Sequence, residues 1–366
     1  YYFPNYHTDP LNEYWHGKRW DEWQLVKHAQ PRFPSHRQPR IPQWGYEDES
    51  LPHVMNKKIR AASESGISAF IFDWYWYDEG PYLLHALEEG FLKADSRSAL
   101  KFALMWANHD WVDIHPAQRS LPHNVLRSGR IKPETFSAAT QYIIDHYFIL
   151  PNYLKVNGGL YFSIYDITRF IESFGTELAA AGALEDFRLR TSKSCGGELH
   201  LNAVIWNQML LPGDGQELKN IESVIHRLGF DSVTHYVWLH HQRLDGFPFT
   251  DYATYRDRAC KDWQYYQNLF KLPYYPNITV GWDSSPRTIQ SDVYENLEYP
   301  FLPILVNNTP VEFARALRLG REFLEKHNAP LLTINAWNEW TEGSYLEPDT
   351  EFGNGYLDAI RDVFLP

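Results

Sequence analysis

Residues 67–79 read ISAFIFDWYWYDE, an apolar run that ends in alternating aromatic and acidic residues. Its apolar part is nearly continuous, which is typical of a strand covered by other elements on both faces. Stretches with helical spacing of apolar residues lie on either side of it, at residues 54–65 and 83–94. A buried strand between two amphipathic helices predicts a parallel α/β fold.

The same alternation repeats along the whole chain. Apolar runs predict eight strands, at residues 1–6, 67–75, 101–107, 160–165, 199–206, 232–238, 278–282 and 331–337. Helical spacing predicts eight helices, at residues 54–65, 83–94, 133–150, 168–181, 217–228, 252–272, 310–327 and 356–364. This pattern favours a single (β/α)8 TIM barrel with long βα loop insertions, at residues 7–51, 108–132 and 239–251.

We therefore expect one catalytic domain over residues 1–366. An open, doubly wound sheet is the alternative architecture. It is disfavoured because no G-x-G-x-x-G loop follows the first predicted strand and no other phosphate-binding loop is evident.

Charge and composition exclude several kinds of partner. The chain has 34 Lys and Arg against 46 Asp and Glu, and its net charge of −12 opposes binding to nucleic acid or an anionic membrane. No stretch approaches the ~20 apolar residues of a membrane span. No obligate protein partner is implied. A mature chain whose leader peptide has been removed looks the same in sequence as a chain that never had one, so localisation stays open.

The cysteines and clustered histidines do not predict a metal site. Cys195 and Cys260 lack the paired spacing of a zinc motif, and one disulfide between them is geometrically allowed. His235, His240 and His241 lie close in sequence, but their spacing is not a ligand pattern and no carboxylate triad accompanies them. We expect no metal and no cofactor.

The predicted strands end in polar groups and aromatic rings, and in a barrel the chemistry takes place at these carboxyl ends. Indole and phenol rings stack on the C–H face of a sugar, while carboxylates and amides bind its hydroxyls. The pattern therefore predicts a glycan site. The candidate substrate-binding residues are His7, Asp73, Trp74, Trp76, Trp106, Asn108, Trp111, Trp282, Asp283, Asn335, Trp337, Asn338 and Trp340.

Each of these residues also has a structural interpretation. Trp74 and Trp76 are two apart on a strand and share a face, which could equally be the core. Asp73 could accept backbone hydrogen bonds in the following loop, and His7 could be a core histidine with its hydrogen bonds satisfied.

Glu339 and Glu342 follow the last predicted strand, and Gly343 allows a tight turn directly after them. Glycoside hydrolysis needs two carboxyl groups beside the scissile bond, one protonated and one ionised. Two glutamates at this spacing are usually solvated, but these two lie between Trp337 and the strand-end glycine. Their position favours a catalytic pair.

Seven segments, spread from residue 1 to about residue 349, resemble the WbsX-type family. They are YYFPNYH at 1–7, WDEW at 20–23, QPR at 38–40, WAN at 106–108, VGWD at 280–283, NAWNEWTEG at 335–343 and LEPD at 346–349. Members of this family are often labelled glycosyltransferases of polysaccharide gene clusters, and the family is related to glycoside hydrolase family 99. The resemblance implies a (β/α)8 barrel that acts on a bacterial polysaccharide or complex glycan.

Family 99 enzymes are retaining endo-α-mannosidases whose E-W-H-E-G motif supplies both catalytic glutamates. The resemblance implies that Glu339 is the base that deprotonates the sugar 2-hydroxyl, which then forms a 1,2-anhydro sugar, and that Glu342 is the acid. Thr341 stands where family 99 has histidine. Mannose preference therefore does not carry over, and a double displacement with Asp73 or Asp110 as nucleophile stays open.

Three functions follow from these observations, and a retaining glycoside hydrolase is the leading one. A glycosyltransferase or transglycosylase of polysaccharide biosynthesis is the alternative, although no D-x-D motif or basic pocket for a nucleotide sugar is evident. A non-catalytic glycan-binding barrel is disfavoured because it has no use for two placed carboxyl groups.

Overall fold

The computed structural model describes residues 1–119, 122–212 and 214–365. The α-helices in these ranges are α1 Pro10–His16, α2 Trp23–His28, α3 Pro52–Glu64, α4 Pro133–His146, α5 Ile167–Phe174, α6 Glu177–Cys195, α7 Ile221–Leu228, α8 Tyr252–Phe270, α9 Pro310–His327 and α10 Gly355–Phe364. A π-helix spans Ala86–Phe91, and 3-10 turns span Arg97–Ala99, Trp238–His240, Ser285–Arg287 and Trp340–Glu342.

The strands are short, apart from the four at the centre. They are β1 Ala69–Tyr77, β2 Gly80–Tyr82, β3 Lys101–Trp106, β4 Trp111–Val112, β5 Val125–Arg127, β6 Lys155–Val156, β7 Gly159–Ile164, β8 Leu199–Val204, β9 Ser232–Thr234, β10 Phe249–Asp251, β11 Tyr274–Tyr275, β12 Asn277–Thr279, β13 Ile304–Val306, β14 Thr333–Asn335, β15 Asn338–Glu339 and β16 Ser344–Tyr345.

A central parallel sheet organises the chain. Its strand order is β11-β9-β8-β7-β3-β1-β2, and β6 is attached to β7. Neighbours from β11 to β1 pair in parallel, whereas β2 and β6 are antiparallel additions. Helices connect the parallel strands, as parallel pairing requires. The predicted α/β class with a parallel sheet is confirmed.

The N-terminal segment lies between β1 and β14. The main-chain nitrogen of Tyr2 donates to the carbonyl of Ile71 at 2.8 Å, and that of Asp73 donates to the carbonyl of Tyr2 at 3.0 Å. On its other side, the main-chain nitrogen of Tyr1 donates to the carbonyl of Ile334 in β14 at 2.8 Å. Since β14 itself pairs in parallel with β12, the segment connects the first and last parts of the strand set.

Two predicted strands differ from the structure. Residues 1–6 do not form a strand, and only Tyr2 forms a bridge, with Phe72. The strand predicted at 278–282 is shifted towards the N-terminus and divided into β11 and β12 around Pro276. Proline has no N–H to donate to a ladder, which accounts for the interruption there.

Two predicted helices also differ. The helix predicted at 168–181 is two helices, because Gly175 ends α5 in the left-handed region at φ 76° and the Thr176 hydroxyl begins α6 by accepting from the main-chain nitrogen of Ala179. The helix predicted at 83–94 is reduced to the π-helix Ala86–Phe91. None of the helices in the described ranges is both long and apolar enough to cross a bilayer.

The connections include the predicted insertions and one that the sequence did not indicate. Residues 7–51 contain α1 and α2, residues 108–132 contain the β4–β5 hairpin, and residues 239–251 contain β10. The additional long connection runs from the end of β12 to β13 and contains the turn Ser285–Arg287. It contributes Arg287 to the cavity at the carboxyl ends of the strands.

Candidate active site

A cavity lies at the carboxyl ends of the parallel strands. Asp73 is the central residue of β1, Met105 is near the end of β3, and Tyr165 and Tyr236 follow β7 and β9. The rings that line it are Phe3, Tyr75, His109, Trp111, His115, Tyr165 and Tyr236, and the charged groups are Asp73, Asp110, Arg287, Glu339 and Glu342. This is the edge of the sheet at which the sequence predicts a site.

Glu339 and Glu342 bind the same buried guanidinium. Arg287 Nη2 is 2.8 Å from Glu339 Oε1, and Arg287 Nη1 is 2.6 Å from Glu342 Oε1. Glu339 ends β15, and Glu342 lies in the short turn that follows, which closes at Gly343 with φ 63°. This turn brings the two carboxylates to one side of the cavity.

A third carboxylate binds this guanidinium from the N-terminal insertion. Glu22 Oε1 accepts from Arg287 Nε at 2.9 Å and from the Thr341 hydroxyl at 2.5 Å. Its other oxygen accepts from Asn5 Nδ2 at 2.6 Å. Thr341, which stands at the family 99 histidine position, therefore connects the Glu339–Glu342 turn to Glu22.

Three buried carboxyl groups share one guanidinium, so this cluster would carry excess negative charge if all three were ionised. Burial and the charge of Glu342 hold the pKa of Glu339 well above its ordinary value, although Arg287 opposes this. Burial also raises the pKa of Glu342, and Arg287 and the Tyr299 hydroxyl offset part of that increase. Since Arg287 is shared among three carboxylates, the glutamate pair retains a proton at pH values where an exposed glutamate is ionised.

Tyr236 connects this pair to Asp73. Its hydroxyl lies 2.8 Å from Asp73 Oδ2 and 3.1 Å from Glu339 Oε2, so one phenolic proton faces two carboxyl groups. Burial raises the pKa of Asp73 to about 7. Asp73 Oδ1 is buried without a hydrogen-bond partner in the described part of the chain.

Asp110 is engaged in different contacts. Its Oδ2 lies 2.9 Å from Arg169 Nη2, and its Oδ1 accepts from the main-chain nitrogen of Gly129 at 2.8 Å. Both carboxyl oxygens of Asp110 are therefore hydrogen-bonded, whereas Asp73 keeps one oxygen without a hydrogen bond to any described residue. Of the two alternative nucleophiles, Asp73 is the better placed to attack a substrate.

The two tryptophans close to the glutamates in sequence hold the turn in place through hydrogen bonds to Glu347. Trp337 Nε1 donates to Glu347 Oε1 at 2.8 Å, and Trp340 Nε1 donates to Glu347 Oε2 at 2.7 Å. Lys58 Nζ also binds Glu347, at 2.6 Å. Trp337 and Trp340 are buried and do not line the cavity. Their position is that of supports for Glu339 and Glu342.

Asn338 connects the same turn to the N-terminal segment. Its Nδ2 donates to the carbonyl of Phe3 at 2.7 Å, and its Oδ1 accepts from the main-chain nitrogen of Phe3 at 2.8 Å. Its Nδ2 also donates to Glu49 Oε1 at 2.9 Å, so the amide of Asn338 is fully engaged and does not line the cavity.

Three of the predicted tryptophans lie on the other face of the sheet. Trp74 and Trp76 stack at 5.1 Å between ring centroids, and Trp106 packs 5.5 Å from Phe136 of α4. Successive side chains of a strand point to opposite faces. Because Asp73 faces the cavity, Trp74 faces the helices, so the predicted sugar contact of these indoles is not supported by their position.

Asn108 and Asp283 also hold loops rather than line the cavity. Asn108 binds both the main-chain nitrogen and the carbonyl of Asp166 at 2.7 Å. Asp283 Oδ2 accepts from His36 at 2.8 Å and from Gln38 at 2.7 Å, and these contacts fix the insertion to the end of β12. The His36 imidazole and the nearby Arg40 outweigh burial and hold the pKa of Asp283 well below its ordinary value.

Of the thirteen predicted substrate-binding residues, Asp73 and Trp111 line the cavity, together with the predicted catalytic pair. Trp282 and Asn335 are buried. In the described ranges, neither Nε1 of Trp282 nor the side-chain amide atoms of Asn335 have a hydrogen-bond partner. His7 is buried beside His85, outside the cavity.

Sequence reasoning missed Arg287, Glu22, Tyr236 and Tyr299. Glu22 lies within the W-D-E-W segment of the family resemblance, but nothing in that segment indicates a role for it. The other three have no local signal, since a single arginine or tyrosine in a loop is common. Only their contacts with Glu339, Glu342 and Asp73 mark them.

Solved structures of glycoside hydrolase family 99 show the same fold. The endo-α-mannosidase from Bacteroides thetaiotaomicron matches with a TM-score of 0.55 and 16% identity, over 99% of this chain and 94% of that chain. Its complex with bis-tris propane gives a TM-score of 0.58 at 15% identity, with the same coverage. A glycoside hydrolase-like protein gives 0.61 at 16% identity, over 89% of both chains. The chain is thus an α/β protein of the family 99 fold class, with a cavity lined by carboxyl groups.

The particular family follows from the sequence comparison. The model of the Glycosyltransferase WbsX family matches residues 1–360, and the chain belongs to this family. Two curated relatives, the uncharacterized proteins WxcX of Xanthomonas campestris pv. campestris strains ATCC 33913 and B100, are each 29% identical over 375 residues. The alignments cover 99% of this chain and 49% of the relatives, so the chain spans about half their length.

Proposed function

We propose that this protein is a retaining glycoside hydrolase that acts on a complex glycan or polysaccharide, with Glu339 and Glu342 as its catalytic pair. The observation that carries the proposal is the sharing of Arg287 by these two buried carboxylates at the edge of a cavity. A pair that retains one proton can supply an acid and a base together. The family and the fold of its structural neighbours support a glycan substrate.

The proposed roles follow from the order of bond changes. Glu339 removes the proton of the sugar 2-hydroxyl, whose oxygen attacks the anomeric carbon, while Glu342 gives its proton to the leaving glycosidic oxygen. Glu342 then removes a proton from water, which opens the 1,2-anhydro ring at the anomeric carbon, and Glu339 returns the proton to the 2-oxygen. The pKa of Glu339 is raised further than that of Glu342 in the free protein, so this sequence requires the proton of the coupled pair to pass to Glu342 when substrate binds.

A double displacement through Asp73 is the other hydrolytic route. It is supported by the position of Asp73 in the cavity and by its unengaged Oδ1. In this route Asp73 attacks the anomeric carbon and forms a glycosyl ester, which water then hydrolyses.

We also propose that the parallel strands and the N-terminal segment form a closed (β/α)8 barrel and that residues 1–366 form its single catalytic domain. The hydrogen bonds of Tyr2 to β1 and of Tyr1 to β14 support closure. The share of the family 99 chains that this chain covers supports a single domain.

Glycosyl transfer is the second candidate, because the family to which the chain belongs bears that name. The same carboxyl pair would then deliver the sugar to an acceptor hydroxyl instead of water.

A glycan digest in oxygen-18 water separates these functions. The protein is incubated with mannans, bacterial and plant polysaccharides and aryl glycosides, and the products are examined by mass spectrometry. The variants Glu339→Gln and Glu342→Gln are tested beside Glu322→Gln, a matched change at an exposed glutamate on α9. On the mannans and other polysaccharides, we expect new labelled reducing ends from wild type and Glu322→Gln and none from Glu339→Gln or Glu342→Gln. Product formed only after addition of a nucleotide sugar and an acceptor would overturn the hydrolase.

A further inference from the structure

A second polar cluster lies outside the cavity, where the segment before α1 meets the loop before the π-helix. It consists of His7, Asp9 and His85, and one nitrogen or oxygen atom from each lies within 4.8 Å of the other two. The two imidazole rings are 5.5 Å apart between centroids. Two imidazoles and one carboxylate are a donor set for divalent first-row transition metals.

Packing alone does not explain why the polar imidazole of His7 is buried. It is fully buried, and neither Nδ1 nor Nε2 has a hydrogen-bond partner in the described part of the chain. A buried polar atom without a partner is unfavourable, because it has lost its hydrogen bonds to water and gained nothing in return. An ion bound to one ring nitrogen would compensate for part of this loss.

The other two members can reach an ion without disturbing the fold. Asp9 Oδ1 accepts from the main-chain nitrogen of Leu11 at 2.8 Å and so begins α1, which leaves Oδ2 for a metal. His85 is exposed, so its side chain can move the short distance by which the three ligand atoms must approach one another. Asp48 also acts electrostatically on His7 and adds negative charge beside the cluster.

We propose that His7, Asp9 and His85 bind one divalent transition-metal ion, with Zn²⁺ as the best match, and that water completes the coordination. Zn²⁺ accepts three protein ligands and one water in a tetrahedral site. The sequence did not indicate this site, because His7 and His85 are 78 residues apart and only the fold brings them together.

The ion would have a structural role that extends to the catalytic pair. Asn12 in α1 donates to Asn5 Oδ1 at 2.7 Å, and Asn5 Nδ2 donates to Glu22 Oε2 at 2.6 Å. Glu22 in turn binds Arg287. An ion on Asp9 would therefore fix the start of the helix whose Asn12 begins this series of hydrogen bonds.

The test measures metal binding without any assay of activity. The purified chain is stripped with a chelator, dialysed and titrated with Zn²⁺ against a chromophoric chelator, and its melting temperature is recorded with and without Zn²⁺. His85→Ala is the main variant because His85 is exposed, and His53→Ala is the matched control at an exposed histidine outside the cluster. Asp9→Asn is added because asparagine still caps a helix but is a weaker ligand.

We expect one Zn²⁺ per chain and a higher melting temperature with the ion, for wild type and His53→Ala alike. His85→Ala and Asp9→Asn should bind at least tenfold more weakly and lose the increase in melting temperature. Co²⁺ in place of Zn²⁺ should give a tetrahedral absorption band that His85→Ala lacks. Failure of wild type to bind Zn²⁺, or equal affinity in His85→Ala and wild type, would overturn the proposal.

Discussion

Arg287 binds Glu342 at 2.6 Å and thereby connects the turn Ser285–Arg287 to the turn Trp340–Glu342. The same guanidinium binds Glu339 at 2.8 Å, so the ionisation of either glutamate changes the pKa of the other. The chemistry of the proposed pair therefore depends on an arginine 52 residues from Glu339 in sequence.

Replacing each glutamate should separate the acid from the base. Glu342→Gln should abolish cleavage of alkyl glycosides yet retain much of the activity on aryl glycosides, because a good leaving group does not need protonation. Glu339→Gln should lose roughly 10²–10⁴-fold on both. Initial rates on matched alkyl and aryl substrates measure this. Equal loss on both substrates for Glu342→Gln would remove it from the acid role, and the reverse pattern would exchange the two roles.

Replacing the arginine should make stability fall more steeply with rising pH than it does in the wild type. Arg287→Met leaves Glu22, Glu339 and Glu342 buried together without their shared cation. Removal of one partner from a buried ionic cluster costs about 3–5 kcal/mol. The pKa values of Glu339 and Glu342, which Arg287 lowers in the wild type, then rise further in the folded state, and the stability that these two groups contribute is present at low pH and lost as pH rises through those values.

Urea unfolding of Arg287→Met at pH 5 and pH 8 measures this, with Arg321→Met as the control. Arg321 is exposed, pairs with Glu325 on the surface of α9 and donates to the carbonyl of Val363 at 2.8 Å, so its replacement should cost about 1 kcal/mol, equally at both pH values. A deficit in Arg287→Met that is the same at pH 5 and pH 8 would contradict the shared role of the arginine.

Asp73 should give the wild type a measurable pH dependence of its own. Burial raises its pKa from 3.8 to about 7 in the folded state. The stability that it contributes is therefore fully present below pH 3.8 and is lost as pH rises to about 7. Asp73→Asn removes this titration and leaves an oxygen that can accept from Tyr236.

Free energies of unfolding between pH 4 and pH 8 check this expectation. As pH rises from 4 to 8, the free energy of unfolding of the wild type should fall by roughly 1–4 kcal/mol more than that of Asp73→Asn. Asp186→Asn, at an exposed position on α6, should follow the wild type. Parallel curves for wild type and Asp73→Asn would show that the carboxyl of Asp73 does not titrate in this window.

Gly343 should be indispensable to the turn that carries the glutamates. A Cβ atom at this position would lie 2.6 Å from the Cβ of Asp283, and the residue adopts φ 63°. Gly343→Ala should therefore cost roughly 2–4 kcal/mol and lower kcat by displacing Glu339 and Glu342. Urea unfolding and steady-state rates measure the two effects.

Gly182 provides the matched comparison. It lies within α6, and a Cβ atom there would have no neighbour within 4 Å. Gly182→Ala should stabilise the protein by about 0.5–1 kcal/mol, because alanine is the better helix former. A Gly343→Ala variant as stable and active as Gly182→Ala would show that the turn tolerates a side chain.

The sequence predicted the parallel sheet because hydrophobic periodicity is local. A buried strand such as β1 or β3 can be identified from its own residues, and the position of Glu339 and Glu342 at a strand end follows from the chain order. Alternation along β1 could also have shown which face each side chain takes. Once Asp73 is assigned to the cavity, Trp74 must face the helices.

What the sequence alone determined was the α/β class, the alternation of strands and helices and the closeness of Glu339 to Glu342 along the chain, because each depends on residues near one another in sequence. Tertiary structure alone decided the partners of that pair. Glu22 and Arg287 are 265 residues apart, and no local pattern relates them. Likewise, only the fold brings His7 and Asp9 to His85. Charge interactions depend on distance in space, so the electrostatics of both sites became definable only when the chain was folded.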